Sequence, residues 1–136
     1  MKDLKRNSNT QEMSFILDRT YTRQEIRDLV GGGSVQDYLP SENGKVLCAC
    51  LSQKYGPDVP KVILVGQGPG VQQAAEIFRR QKSAVPVFLK KVANLWEYAG
   101  NFSPVGCTED PDKIREFKEF FGRINLTRII FLEEEK

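Results

Sequence analysis

The sequence predicts a mixed α+β fold: a curled mixed β-sheet, or an open β-barrel, of about five to six strands flanked by about three helices. Three observations carry this expectation. Amphipathic stretches with recognisable start and stop residues recur along the chain, apolar runs of strand length lie between them, and the two kinds follow in the order α, β, β, α, β, β, α, β. That irregular order argues against a doubly wound parallel sheet. There is no internal repeat or low-complexity block, and 136 residues suffice for one core that buries roughly two thirds of the unfolded surface. The expected organisation is a disordered leader over residues 1–14 and a single domain over 15–136.

After a short apolar start at Phe15 to Leu17, Thr22 stands three residues before Glu25, the spacing of a capping box. Ile26, Leu29 and Val30 then supply the apolar face of a first helix. Gly31, Gly32 and Gly33 end it, and "SVQDYLPSENG" follows as a long polar loop. Loops of this length in compact domains are often functional, which makes Ser34 to Tyr38 candidates; the alternative is a glycine helix stop followed by plain surface. "KVLCACL" and "KVILV" read as central strands buried on both faces, separated by the turn residues Gly56, Pro57 and Pro60. Val71, Ala74, Ala75 and Phe78 fall at i, i+3, i+4 and i+7 of a second helix, with Arg79, Arg80 and Lys82 toward its end. "VPVFLKK" and "LWEYAGNF" suit a hairpin turning at Val92 to Asn94. Asp110 caps a third helix with Pro111 at its first position, Ile114, Phe117 and Phe121 on one face and Gly122 as its stop; "TRIIFL" is the closing strand.

Composition excludes some classes. With 20 Lys and Arg against 18 Asp and Glu, net charge says nothing about a polyanion, so only the arrangement of charge can. Three cysteines, two of them at i and i+2 in one strand, do not make a secreted disulfide framework and fit a reduced, cytoplasmic protein. With no histidine and no C-x-x-C pair, Cys48, Cys50 and Cys107 read as small apolar side chains, with a zinc site as the alternative. No run approaches the roughly eighteen apolar residues of a membrane span, so no membrane partner is expected, and neither a metal nor a cofactor.

The stretch "KVILVGQGPGVQQAAEIFRRQ" looks like a strand, a phosphate-cradling loop and a helix. A dinucleotide fingerprint, however, needs a third glycine or alanine where Val71 stands, and an acidic residue near the end of the next strand, where Lys90 and Lys91 stand. A Walker loop would end in Gly-Lys-Ser/Thr, which is absent. Gly66 to Gly70 therefore read either as a strand-to-helix turn or as a site for a nucleotide phosphate. In both cases free N–H groups at Gly68 and Gly70 favour an anion, and a DNA phosphate is one.

Catalytic signals are weak. The absence of histidine removes imidazole-based chemistry. A nuclease motif starting from Pro57-Asp58 would need a carboxylate where Phe88 stands, and "EFK" at Glu116 to Lys118 lies on a helix.

The segment "VPVFLKKVANLWEYAGNFSPV" combines an apolar strand ending in lysines with Trp96-x-Tyr98-x-Gly100-x-Phe102 and then Val105. It resembles the hairpin of PUA-like domains, the superfamily of the SRA and EVE readers of modified bases, including domains attached to restriction endonucleases. "YTRQEIRDLVGGG", "GKVLCACL" and "INLTRIIFLEEE" look like parts of domains associated with HNH endonucleases. The resemblance implies a PUA-like domain that binds nucleic acid, DNA in preference to RNA, reads a modified base in restriction or anti-phage defence, and leaves cleavage to a nuclease partner or to a longer protein of which this sequence is a piece. No nuclease module is present in this sequence, and no base-pocket residue of SRA domains carries over beyond the hairpin aromatics.

A reader of one base must extrude it, then recover the cost by stacking and by hydrogen bonds to its edge. Tyr38, Trp96 and Tyr98 are the candidate platforms, and Ser34, Gln36 and Asp37 the candidate edge readers. Alternation puts Trp96 and Tyr98 on one face, extending to Phe102 if it is unbroken; ordinary core is the alternative for that stripe. Arg23, Arg27, Arg79, Arg80, Lys82, Lys90 and Lys91 are the candidate backbone contacts, with a scattered solvated surface as the alternative. Two other functions stay open: a small nucleotide- or phosphate-binding enzyme using the glycine loop, and a protein-interaction subunit.

Overall fold

The computed structural model describes residues 15–32, 37–52, 61–122 and 125–135. The leader, Ser34, Gln36, Gly56, Pro57, Asp58 and Pro60 lie outside the described residues. The chain runs β1 (Thr20–Tyr21), α1 (Arg23–Val30), β2 (Ser41–Glu42), β3 (Lys45–Val46), β4 (Ala49–Leu51), β5 (Val62–Val65), α2 (Pro69–Gln81), β6 (Val85–Val92), β7 (Leu95–Thr108), α3 (Pro111–Phe121) and β8 (Arg128–Glu134). The six-stranded sheet has the order β4-β6-β7-β8-β5, with β1 beside the start of β7, while β2 and β3 form a separate hairpin. β4 and β6 are parallel and the other pairs antiparallel, so the sheet is mixed, as the sequence predicts.

Local signals place the helices. At α1 the Thr22 side chain accepts from the Glu25 N–H at 3.1 Å, and Glu25 Oε1 accepts from the Thr22 N–H at 2.8 Å, a closed capping box. At α3 the Asp110 carboxylate accepts from the Lys113 N–H, Pro111 opens the first turn and Gly122 ends the helix in the left-handed region. Leu29, expected on the apolar face of α1, is exposed instead; Arg23 and Ile26 are buried and Val30 packs half-buried against the same cluster.

The helices cover both faces of the sheet. Beneath α2, Ala75 and Phe78 meet Ile63, Val65, Val85, Val87, Phe102 and Ile130. On the opposite face, Ile26 of α1 joins Tyr21, Cys48, Cys50, Phe88, Trp96 and Tyr98, and farther along Ile114 and Phe121 of α3 cover Val62, Leu64 and Ile129. Burial on both faces is as expected for β4 and β5, but they stand at the two ends of the hydrogen-bonded path rather than at its centre. Covering helices, not flanking strands, make them apolar. Nor is "KVLCACL" one strand: the Leu47 N–H donates to the Pro40 carbonyl, and the chain leaves the β2–β3 hairpin before entering β4.

β7 pairs with β6 along its first half and with β8 along its second. Between Gly100, opposite Val87, and Tyr98, opposite Phe88, Ala99 is an extra residue, a bulge. Gly100 has φ +120°, a backbone conformation that side chains disfavour. The bulge inverts the alternation, so Trp96 and Tyr98 face α1 while Phe102 faces α2. The single aromatic stripe extending to Phe102 is thereby corrected.

Candidate functional site

The β2–β3 hairpin folds over α2, and a cavity of about 490 Å³ opens between them. Asp37, Tyr38, Ser41, Gly68, Gly70 and Gln73 are among its walls, with Val71, Ala74 and Ile77 supplying apolar surface. That volume lies within the roughly 300–1,000 Å³ range of small-molecule sites. The polar loop and the glycine turn, about thirty residues apart in sequence, thus meet at one place. At the far end of α2 the Gln81 side chain closes the contact: its Oε1 accepts from the Val46 N–H at 2.8 Å and its Nε2 donates to the Val46 carbonyl at 3.0 Å. A side-chain amide here replaces a missing strand.

Three elements pin the segment carrying Asp37 and Tyr38. Arg23 Nη2 of α1 donates to the Asp37 carbonyl at 2.8 Å, and the Cys50 N–H of β4 donates to the Tyr38 carbonyl at 2.7 Å. The Tyr38 hydroxyl donates to the Val71 carbonyl of α2 at 2.6 Å. Burial pushes the Tyr38 phenol well above its ordinary pKa, against the opposing effect of Arg128, so it stays a neutral donor. The Asp37 carboxylate is exposed and has no partner among the described residues.

α2 starts without a side-chain cap. Gly68 is its N-cap at φ +118° with open space where a Cβ would project, Pro69 follows, and no acidic residue stands in the first turn. First-turn N–H groups without a capping oxygen, together with the helix dipole, make this wall of the cavity attractive to an anion.

Trp96 and Tyr98 are not brought to this cavity. Both are buried beneath α1, and the Tyr98 hydroxyl donates to Asn101 Oδ1 at 2.7 Å. Arg23 is also inside, 8% exposed, with its guanidinium 5.2 Å from the Trp96 ring centroid. Its charge is engaged by the Asp37 carbonyl and the indole, and its backbone N–H donates to Asn94 Oδ1 at the hairpin turn. Arg23 therefore links the β6–β7 hairpin to the rim of the cavity. Lys90, whose ammonium is 6.0 Å from the Trp96 ring centroid, is exposed, as are Arg27 and Lys91, the last paired with Glu97. Arg79 and Arg80 both pair with Glu76, which also binds Arg128, while Lys82 stands exposed just past the end of α2. The predicted cations thus divide between the hairpin side and the far end of α2 rather than forming one rim.

Sequence reasoning missed the hairpin residue Ser41, the helix residue Gln73, and Gln67 inside the glycine turn, which lines a neighbouring hollow. Only Gln67, flanked by Gly66 and Gly68, carried a sequence signal. Cys48 and Cys50 pack beneath α1 and Cys107 against the α2 side of the sheet, so the three thiols do not converge. Among the described residues no helix is long and apolar enough to cross a membrane.

No protein-family model matches the chain, and no curated protein matches it in sequence. Among solved structures the chain is similar to the SRA domain of SUVH5 in a complex with hemimethylated CG DNA, with a TM-score of 0.59 and 16% identity over 96% of this chain and 94% of that one. At that identity the likeness shows fold: an SRA-like, PUA-like arrangement of mixed sheet and flanking helices.

Proposed function

We propose that this chain binds DNA and reads a modified base extruded from the duplex into the cavity between the β2–β3 hairpin and α2. The observation that carries the reading is the convergence of Asp37, Tyr38, Gly68 and Gly70 on one cavity. Tyr38 offers a ring whose position three elements fix, Asp37 an acceptor for an exocyclic amine, and the uncapped start of α2 a place for the phosphate of the extruded nucleotide. Lys90, Lys91 and Arg27 contact the flanking backbone; Arg23 acts as a positioning residue. The likeness to an SRA domain solved with hemimethylated DNA supports the same class of ligand. In this reading residues 15–136 act as one cytoplasmic domain without catalysis of its own, in restriction or anti-phage defence, with a nuclease as partner.

Fluorescence anisotropy of labelled duplexes, unmodified and modified, at two salt concentrations tests this. Backbone contacts weaken with salt, whereas preference for a base persists. The expected result is a preference for one modified duplex that survives the higher salt and is lost in Tyr38→Ala. Failure of every duplex to bind at low salt refutes the reading. A second reading, a free-nucleotide binder, draws on the same uncapped helix start and predicts that a mononucleotide binds where no duplex does.

A further inference from the structure

A second hollow, of about 260 Å³, shares Tyr38 and Val71 with the first. The hydrogen bond from the Tyr38 hydroxyl to the Val71 carbonyl is thus common to both. Leu51, Leu64 and Val71 supply its apolar lining, and Ser52, Gln67 and Asn125 its polar groups. Among the described residues no charged side chain lines it. Among the described residues the side chains of Ser52, Gln67 and Asn125 have no hydrogen-bond partner, and all three residues are exposed.

Resting on the reading above, we propose that this hollow receives the substituent of the modified base, and that the substituent is a neutral, hydroxyl-bearing group of sugar size, as on a glycosylated base. The hollow has the volume of about nine waters at ~30 Å³ each, far more than a methyl group occupies. A methyl there would leave most of the space hydrated and every amide unused. An anionic substituent would meet no cation among the described lining residues. Two carboxamides and a hydroxyl, which donate and accept without charge, match the alternating donors and acceptors of sugar hydroxyls, and Tyr38 presents the flat apolar surface that a pyranose ring covers.

Anisotropy titration with three duplexes, each carrying one 5-methylcytosine, 5-hydroxymethylcytosine or glucosylated 5-hydroxymethylcytosine, tests the assignment beside an unmodified control. The glucosylated duplex is expected to bind about tenfold or more tightly than the methylated one, as two or three added neutral hydrogen bonds allow. Gln67→Ala and Asn125→Ala, checked for native circular dichroism, should narrow that gap. A methylated duplex that binds as tightly as the glucosylated one, with both above the control, overturns the sugar assignment and leaves the base reader standing. Equal binding of all four duplexes removes both.

Discussion

Replacing Arg23 tests whether the site is built from the fold or merely lies on it. Arg23→Ala removes a charged hydrogen bond to the Asp37 carbonyl, about 1.5–3 kcal/mol, and a largely buried cation–π contact with Trp96, about 1 kcal/mol. Both contacts use one guanidinium, so their losses overlap, and the combined destabilisation is about 2–3 kcal/mol. For a domain of this size that lowers Tm by roughly 6–15 °C. The Asp37–Tyr38 segment keeps its bonds from Cys50 and to Val71, but loses its tie to α1 and the β6–β7 hairpin. Modified-duplex affinity should fall even at temperatures where the variant is fully folded. Arg23→Met, which retains the apolar stem, separates packing from charge: it should recover part of the stability and little of the binding. Urea denaturation gives the first quantity and anisotropy the second. A loss below about 0.5 kcal/mol with unchanged binding would show that Arg23 neither supports the core nor positions the rim, and would refute the reasoning.

Other perturbations read other parts of the molecule. Gln81→Ala leaves the N–H of buried Val46 without its partner, which should cost about 1–3 kcal/mol in urea titration. Gly100→Ala places a Cβ at φ +120° and 3.1 Å from the Glu134 carboxylate; a loss of about 1–2 kcal/mol is expected, more than Gly70→Ala, where there is open space. Glu76, held down to about 2 from its ordinary 4.5 by hydrogen bonds from Arg79, then Arg80 and Arg128, has a depressed folded-state pKa. Its contribution is therefore full above pH 4.5 and fades as pH falls toward about 2. Denaturation midpoints of wild type and Glu76→Gln should converge on acidification, and a constant difference from pH 7 to pH 3 would contradict this.

Much of this molecule was readable because its determinants are local. The box of Thr22 and Glu25, the Asp110 cap with Pro111 and the Gly122 stop each act within one or two helical turns, and each appears where the residue pattern puts it. The hairpin over "VPVFLKKVANLWEYAGNF" follows for the same reason, and Tyr38 stood out as an aromatic in a polar loop. The errors have two causes. A single extra residue, Ala99, reverses which face Phe102 occupies, and a bulge is invisible to a period-two pattern. β4 and β5 looked central because apolarity reports burial, and helices bury a strand as effectively as neighbouring strands do.

By itself, then, the sequence determined the limits of α1 and α3, the long β6–β7 hairpin, the mixed fold class and the residue types available for a site, but not the short strands β1, β2 and β3. Only the tertiary structure decided that Asp37 and Tyr38 meet Gly68 and Gly70, that Trp96 and Tyr98 belong to the core, and that Arg23 braces the rim from inside. Those outcomes depend on contacts between segments distant in the chain, where burial and the pairing of inward polar groups choose the partner; no local periodicity encodes that choice.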